Sequence, residues 1–186
     1  MSGALDTLQP FQALSAWAPS GDYVLTGADI ADYVGNLTTY GQADVQKIFR
    51  RTIFHVDNAN ADHAFPEVIS GVITTPTISL SSERPVFQAN LTVLDEISGI
   101  GEALVTLQSA NGRFTGFGEG LATTPVKGKP VTLSIGAGFF NQSYLTPGSW
   151  STTELIVFNN AGTKLDITDA GKLASIFGTT TFQLTK

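Results

Sequence analysis

The chain has 186 residues, of which 42% are hydrophobic and 14% charged. That suffices for one large packed domain, or a small one plus part of another, and is too little charge for a disordered chain. Ten Lys and Arg against sixteen Asp and Glu leave a net charge of −6, and cysteine is absent. This argues against nucleic acid and anionic membranes as partners, and excludes disulfide scaffolds, iron–sulfur clusters and thiol catalysis.

The opening residues, Met1-Ser2-Gly3-Ala4-Leu5-Asp6, lack the basic and apolar regions of a signal peptide. No apolar run approaches the ~20 residues that span a bilayer, so no membrane insertion is expected. Low Lys, abundant Thr, Ser, Gly and Asn, and no Cys suit a secreted bacterial β-protein in mature or trimmed form.

Along the chain, Gln42–Arg50 carries Val45, Ile48 and Phe49 at helical spacing and reads as a short helix with one apolar face. Val86–Leu94 alternates, with Phe87, Ala89, Leu91 and Val93 on one face, as a half-buried strand requires. Strands are also expected at Ala103–Leu107, Pro130–Ile135, Glu154–Phe158 and Thr179–Leu184. Turn clusters such as Asn111-Gly112 and Thr146-Pro147-Gly148 separate them. Asp169–Phe177 repeats the helical spacing through Leu173, Ile176 and Phe177, with Thr168 or Asp169 as its cap. Many short strands imply an all-β antiparallel sandwich, with a short helix before the last strand of each module.

Gly21-Asp22-Tyr23, Gly35-Asn36, Ile48-Phe49 and Thr52-Ile53-Phe54 recur in order as Gly148-Ser149-Trp150, Gly162-Thr163, Ile176-Phe177 and Thr180-Thr181-Phe182. The offset is 127 from Gly21 to Gly148 and 128 from Phe54 to Phe182, so one residue is inserted. Order and spacing together indicate two copies of one module. The expected division is residues 1–57 as the C-terminal part of a module, 58–76 as linker, and 77–186 as a complete module.

Leu94-Asp95-Glu96-Ile97-Ser98-Gly99-Ile100, then Pro147-Gly148-Ser149-Trp150 and Asn159-Asn160-Ala161-Gly162-Thr163, resemble the D-x-x-S-G, G-x-W and D-x-A-G-N motifs of bacterial extracellular immunoglobulin-like repeat domains. Gly21-Asp22-Tyr23 and Asp32-Tyr33-Val34-Gly35-Asn36 match the later motifs in the partial module. The resemblance runs from about Ala18 to Lys186. It implies immunoglobulin-like β-sandwiches, and a spacer, adhesive or assembly role in a surface or secreted protein.

Calcium is the sharpest site expectation, because it takes six to eight oxygens from carboxylates and carbonyls. Asp95 and Glu96 in the complete module, and Asp32 and Asn36 in the partial one, are the candidates. Asn159 and Thr163 stand where the motif has Asp and Asn, which removes charge. The competing reading is turn capping without metal: Asp95 accepts from the N–H groups of its own turn, and Gly99 supplies the bend. His55 and His63 flank Asp57, Asn58, Asn60 and Asp62, and read as a polar linker rather than a transition-metal site. No Gly-x-Ser-x-Gly, P-loop or His-Glu-x-x-His motif is present, so no enzyme is expected. Asn36, Asn90 and Asn141 match glycosylation acceptors at a frequency that chance explains.

A half-sandwich exposes apolar faces and unpaired edges. The expected function is therefore a non-catalytic extracellular structural or assembly protein. Its first segment would pack on its own second module or be completed by a neighbouring copy through strand addition, which propagates into a filament. Self-association, or other domains of a larger surface protein, are the expected partners. The alternative is a carbohydrate- or protein-binding adhesion module, with Trp17, Phe139 or Phe140 as contacts.

Overall fold

The structure is a computed structural model and describes residues 14–32, 34–139 and 145–186. Tyr33, Phe140 and Asn141, singled out in the sequence, lie outside the described residues. The fold is all-β with two short helices. It forms two compact units: residues 16–61, and residues 62–186 with the stretch ending at Ser15.

The smaller unit contains β1 (Gly21–Val24), β2 (Gly27–Ala31), β3 (Leu37–Gly41), α1 (Gln42–Ile48) and β4 (Ile53–Val56). β1 pairs antiparallel with β4, and β2 with β3. α1 is two residues shorter than its apolar spacing suggests. Phe49 is already extended, and Gly41 gives the helix no side-chain cap. A helix of seven residues cannot persist on propensity alone, and Val45 supplies its buried anchor.

The larger unit contains β5 (Glu67–Ile73), β6 (Thr77–Ser79), β7 (Val86–Leu94), β8 (Ile100–Ser109), β9 (Thr115–Leu121), β10 (Val131–Gly138), β11 (Gly148–Asn159), β12 (Lys164–Ile167), α2 (Ala170–Phe177) and β13 (Thr181–Thr185). One mixed sheet runs β5-β7-β10-β9-β8-β11-β13-β6, with β12 also on β11. Among the described residues, only β6 and β13 pair in parallel. The sheet curls until its ends face each other. Phe87 on β7 and Phe182 on β13 are well separated in strand order, yet their ring centroids are 4.9 Å apart. Phe139 meets Trp150 edge-on at 5.2 Å nearby. The alternating residues Phe87, Ala89, Leu91 and Val93 all point into this core.

The division differs from the sequence expectation: the smaller unit runs over residues 16–61 rather than 1–57, and the larger one begins at Asp62 rather than residue 77. The stretch 58–76 is not a linker throughout. Glu67–Ile73 forms β5, which pairs with β7 and carries a register shift between Val68 and Ser70. α2 lies against β5, and Gly71 makes room for it: a Cβ there would sit 2.8 Å from the Phe177 ring. The cap expected for α2 is Asp169, whose Oδ1 accepts from the Lys172 N–H at 2.8 Å.

The repeated segments adopt the same pairing, residue for residue. Gly21, Asp22, Tyr23 and Val24 stand opposite Val56, His55, Phe54 and Ile53. Gly148, Ser149, Trp150 and Ser151 stand opposite Leu184, Gln183, Phe182 and Thr181. Ala28, Asp29, Ile30 and Ala31 pair with Tyr40, Thr39, Thr38 and Leu37. Leu155, Ile156, Val157 and Phe158 pair with Ile167, Asp166, Leu165 and Lys164. The turns agree too. Gly35 and Gly162 have φ of 90° and 88°, a region that favours glycine. The smaller unit thus reproduces β11-β12-α2-β13, and among the described residues it has no counterpart of the strands that precede them in the larger one.

Candidate functional site

In the larger unit the loop after β7 is a buried polar knot. Asp95 Oδ1 accepts from the backbone N–H groups of Ser98 and Gly99, both at 2.8 Å, and of Ile97 at 3.2 Å. The loop can close this tightly because Gly99 has φ +77° and lies against the Val126 backbone, where a Cβ would approach the carbonyl oxygen to 2.8 Å. Asp62 reaches the same point from the segment ahead of β5. Its Oδ2 accepts from Ser98 Oγ at 2.6 Å, and its Oδ1 from the Ala64 N–H at 2.8 Å.

Asn159, at the end of β11, joins the two carboxylates. Its Nδ2 donates toward Asp62 Oδ2 at 3.1 Å and Asp95 Oδ2 at 3.2 Å, and its Oδ1 accepts from Ala161 and Thr163 N–H. Next to it, the Asn160 side-chain amide donates to the Ser98 and Ile100 carbonyls. Asp62, Asp95, Ser98 and Asn159 are all buried. Buried polar groups of this kind persist only when their hydrogen bonds are made. This arrangement cross-ties three loops of one end of the sheet.

Of the calcium candidates, Asp95 faces this knot while its neighbour Glu96 is exposed. Asp32 and Asn36 belong to the smaller unit and form a turn of their own. Asp32 Oδ1 accepts from the Val34 and Asn36 N–H groups, and Oδ2 from Asn36 Nδ2 at 2.7 Å. The Asn36 amide, followed by its backbone N–H, holds the Asp32 carboxyl below its ordinary range. Both aspartates therefore present their oxygens to N–H donors, the geometry of a capped turn. Among the described residues no group of three or more acidic, His or Cys side chains is placed to hold a metal ion.

The sequence reading did not single out Asp62 as a partner of Asp95. Its partners are distant in sequence, and no periodicity marks such a contact. The two histidines also separate: His63 is exposed in the larger unit, while His55 lies on β4 of the smaller one. His55 Nδ1 is 2.6 Å from Asp22 Oδ1 on β1, and Nε2 is 3.2 Å from Asp57 Oδ1. Those two carboxylates, Asp22 first, raise the His55 pKa. Of the aromatic contacts considered, Phe139 is buried in the core and Trp17 is half-buried.

The smaller unit holds the other candidate surface. Phe54 is 51% exposed, whereas its counterpart Phe182 is 1% exposed. Ile30 is 43% exposed, whereas Val157 is fully buried. Phe49 and Phe177 differ in the same sense. Val45, like Leu173, is buried; α1 lies against β2 and β3, and α2 against β5 and β11. Phe54, Ile30 and Phe49, at positions that make the core of the larger unit, thus stand open in the smaller one, while Val45 is covered. No protein-family model matches the chain, and no curated protein matches it.

Proposed function

We propose that this is a non-catalytic structural protein of an extracellular or cell-surface assembly, built from immunoglobulin-like β-sandwich modules. In this reading the smaller unit is the closing portion of a module that is completed by another domain or subunit. The strand order supports the immunoglobulin-like assignment. β5 and β6 are adjacent in sequence, yet β5 joins β7 and β10 while β6 joins β13, β11 and β8. Two opening strands sent to the opposite ends of one sheet that curls back on itself suit that architecture. The composition supports an extracellular setting.

The observation that carries the proposal is the contrast between paired positions. Equal sequence signals and equal strand register give a buried Phe182 and an open Phe54. An apolar face of this kind marks an interaction surface.

Hydrogen exchange on a strictly monomeric sample is the test. Amides of β1–β4 should exchange far faster than those of β8 and β11, because little packing holds them. Equal protection in the monomer would mean that the smaller unit is complete by itself, and the proposal would fall.

A further inference from the structure

We infer that the open edge of β1 and β2 is a seat for one antiparallel partner strand of about ten residues, alternating small or branched apolar side chains with polar ones. This rests on the reading of the smaller unit as the closing part of a module, and adds what the missing neighbour is. The larger unit carries the template. There, the corresponding edge of β11 is occupied by β8, with Ser109 opposite Trp150, Leu107 opposite Thr152, Val105 opposite Leu155 and Ala103 opposite Val157.

Shifted by the repeat offset, those β11 positions become Tyr23, Leu25, Ala28 and Ile30. β1 uses one edge for β4, and β2 uses one edge for β3. The Leu25 N–H is also committed to that side, donating to the Thr52 carbonyl at 2.7 Å, as the Thr152 N–H donates to the Thr180 carbonyl at 2.8 Å. Among the described residues no strand pairs with the opposite edge. An incoming strand would find unpaired main-chain groups along the edge and the apolar side chains Ile30 and Phe54 beneath it.

Among the described residues, the larger unit of a second copy has no such strand to lend. β8 is hydrogen-bonded on both sides, to β9 and β11, and its Ala103, Val105 and Leu107 are buried. β7 is likewise held between β5 and β10. The edge strands β5 and β6 keep Ile73 and Ile78 in their own core. Withdrawing any of these opens the larger unit. The partner the seat fits is thus a β8-like strand that is not already folded into a larger unit.

The probe is a synthetic peptide with the sequence of residues 100–109 of this chain, added to the full-length protein. Light scattering, calorimetry and hydrogen exchange give the readouts. We expect saturable binding of one peptide per chain, and at least a tenfold slowing of exchange within residues 24–31. The binding should be lost when the peptide carries Val105→Asp and Leu107→Asp, and when the chain carries Ile30→Asp. The peptide arm stands even if the chain variant folds poorly. Three results would overturn the inference: no slowing at any peptide concentration, slowing confined to the larger unit, or slowing without peptide as the chain associates with itself. Slow exchange of β1–β4 in the peptide-free monomer sinks the functional reading. Fast exchange there that the peptide leaves unchanged sinks only this inference.

Discussion

Asn159 donates from Nδ2 to Asp62 Oδ2 at 3.1 Å, across a gap that Asp95 closes from the other side at 3.2 Å. An amide at this position separates two buried carboxylates, whereas an aspartate would add a third. Asn159→Asp is therefore expected to cost at least about 3 kcal/mol, since it buries a charge without a partner. Denaturant unfolding of the larger unit measures this. Because N–H and O–H donors already fill the Asp95 oxygens, calcium and a chelator should leave the wild-type unfolding midpoint unchanged. A calcium-dependent rise would contradict the capped-turn geometry.

The two repeat phenylalanines offer a paired test. Phe182→Ala removes a ring packed against Phe87, Phe139 and Trp150, and should cost about 3–5 kcal/mol. Among the described residues, the one ring stacked on Phe54 is Tyr23, with centroids 5.5 Å apart. Phe54→Ala in the isolated chain should stay within about 1 kcal/mol. Similar losses at both positions would show that the smaller unit buries its face after all.

Asp22 and Asp57 give the β1–β4 pair a pH dependence. His55 has its pKa raised above the ordinary 6.5, so the folded pair binds the proton more tightly than the unfolded chain. The stabilisation is complete below pH 6.5 and is lost as pH rises through the higher folded value. Both partners are exposed, so the effect is small and salt-screened. Amide protection in β1 and β4, corrected for intrinsic exchange, should fall with rising pH above 6.5. In His55→Gln it should be flat. A wild-type profile without slope would remove the ion pair from the account.

Gly99 tests the knot from its backbone. At φ +77° an alanine is strained, and its Cβ would meet the Val126 carbonyl oxygen at 2.8 Å. Gly99→Ala should cost roughly 2 kcal/mol or more. Gly162→Ala, at a turn with open space around it, should cost only the strain, about 1 kcal/mol. Equal unfolding midpoints for the two variants would remove the Val126 contact from the argument.

The parts of this fold that repeat or alternate were legible in the sequence. β7 has the bounds its alternation gives, and the offset between Gly21 and Gly148 identifies two segments that share their register. What stayed hidden has physical causes. The register shift between Val68 and Ser70 breaks the alternation of β5, so its apolar residues do not read as one face. β9 is not among the strands expected from sequence, because three of its residues, Gly116, Gly118 and Gly120, are glycines and leave no apolar alternation. Between β8 and β10 there is no space for more. A Cβ on Gly118 would come within 2.9 Å of Val105, and one on Gly120 within 2.9 Å of the Ser134 carbonyl oxygen. In the knot, the Asp95 turn was readable from its local spacing, while Asp62 was not, because its ties to Ser98 and Asn159 arise only on folding.

The parallel contact of β6 with β13 sets Thr77 opposite Gln183, Ile78 opposite Leu184 and Ser79 opposite Thr185, and so joins the second strand of the larger unit to its last. The start of one strand and the finish of the other lie at opposite ends of this short ladder. Tension applied between those ends runs along the strands, so the ladder shears and its bonds bear the load together instead of opening in turn like a zipper. Single-molecule stretching between attachment points at Pro76 and Lys186 should therefore show one abrupt rupture before the rest of the sheet extends, and a gradual, low-force peel would contradict it. A strand pair stapled in this way keeps its length until its bonds give way together.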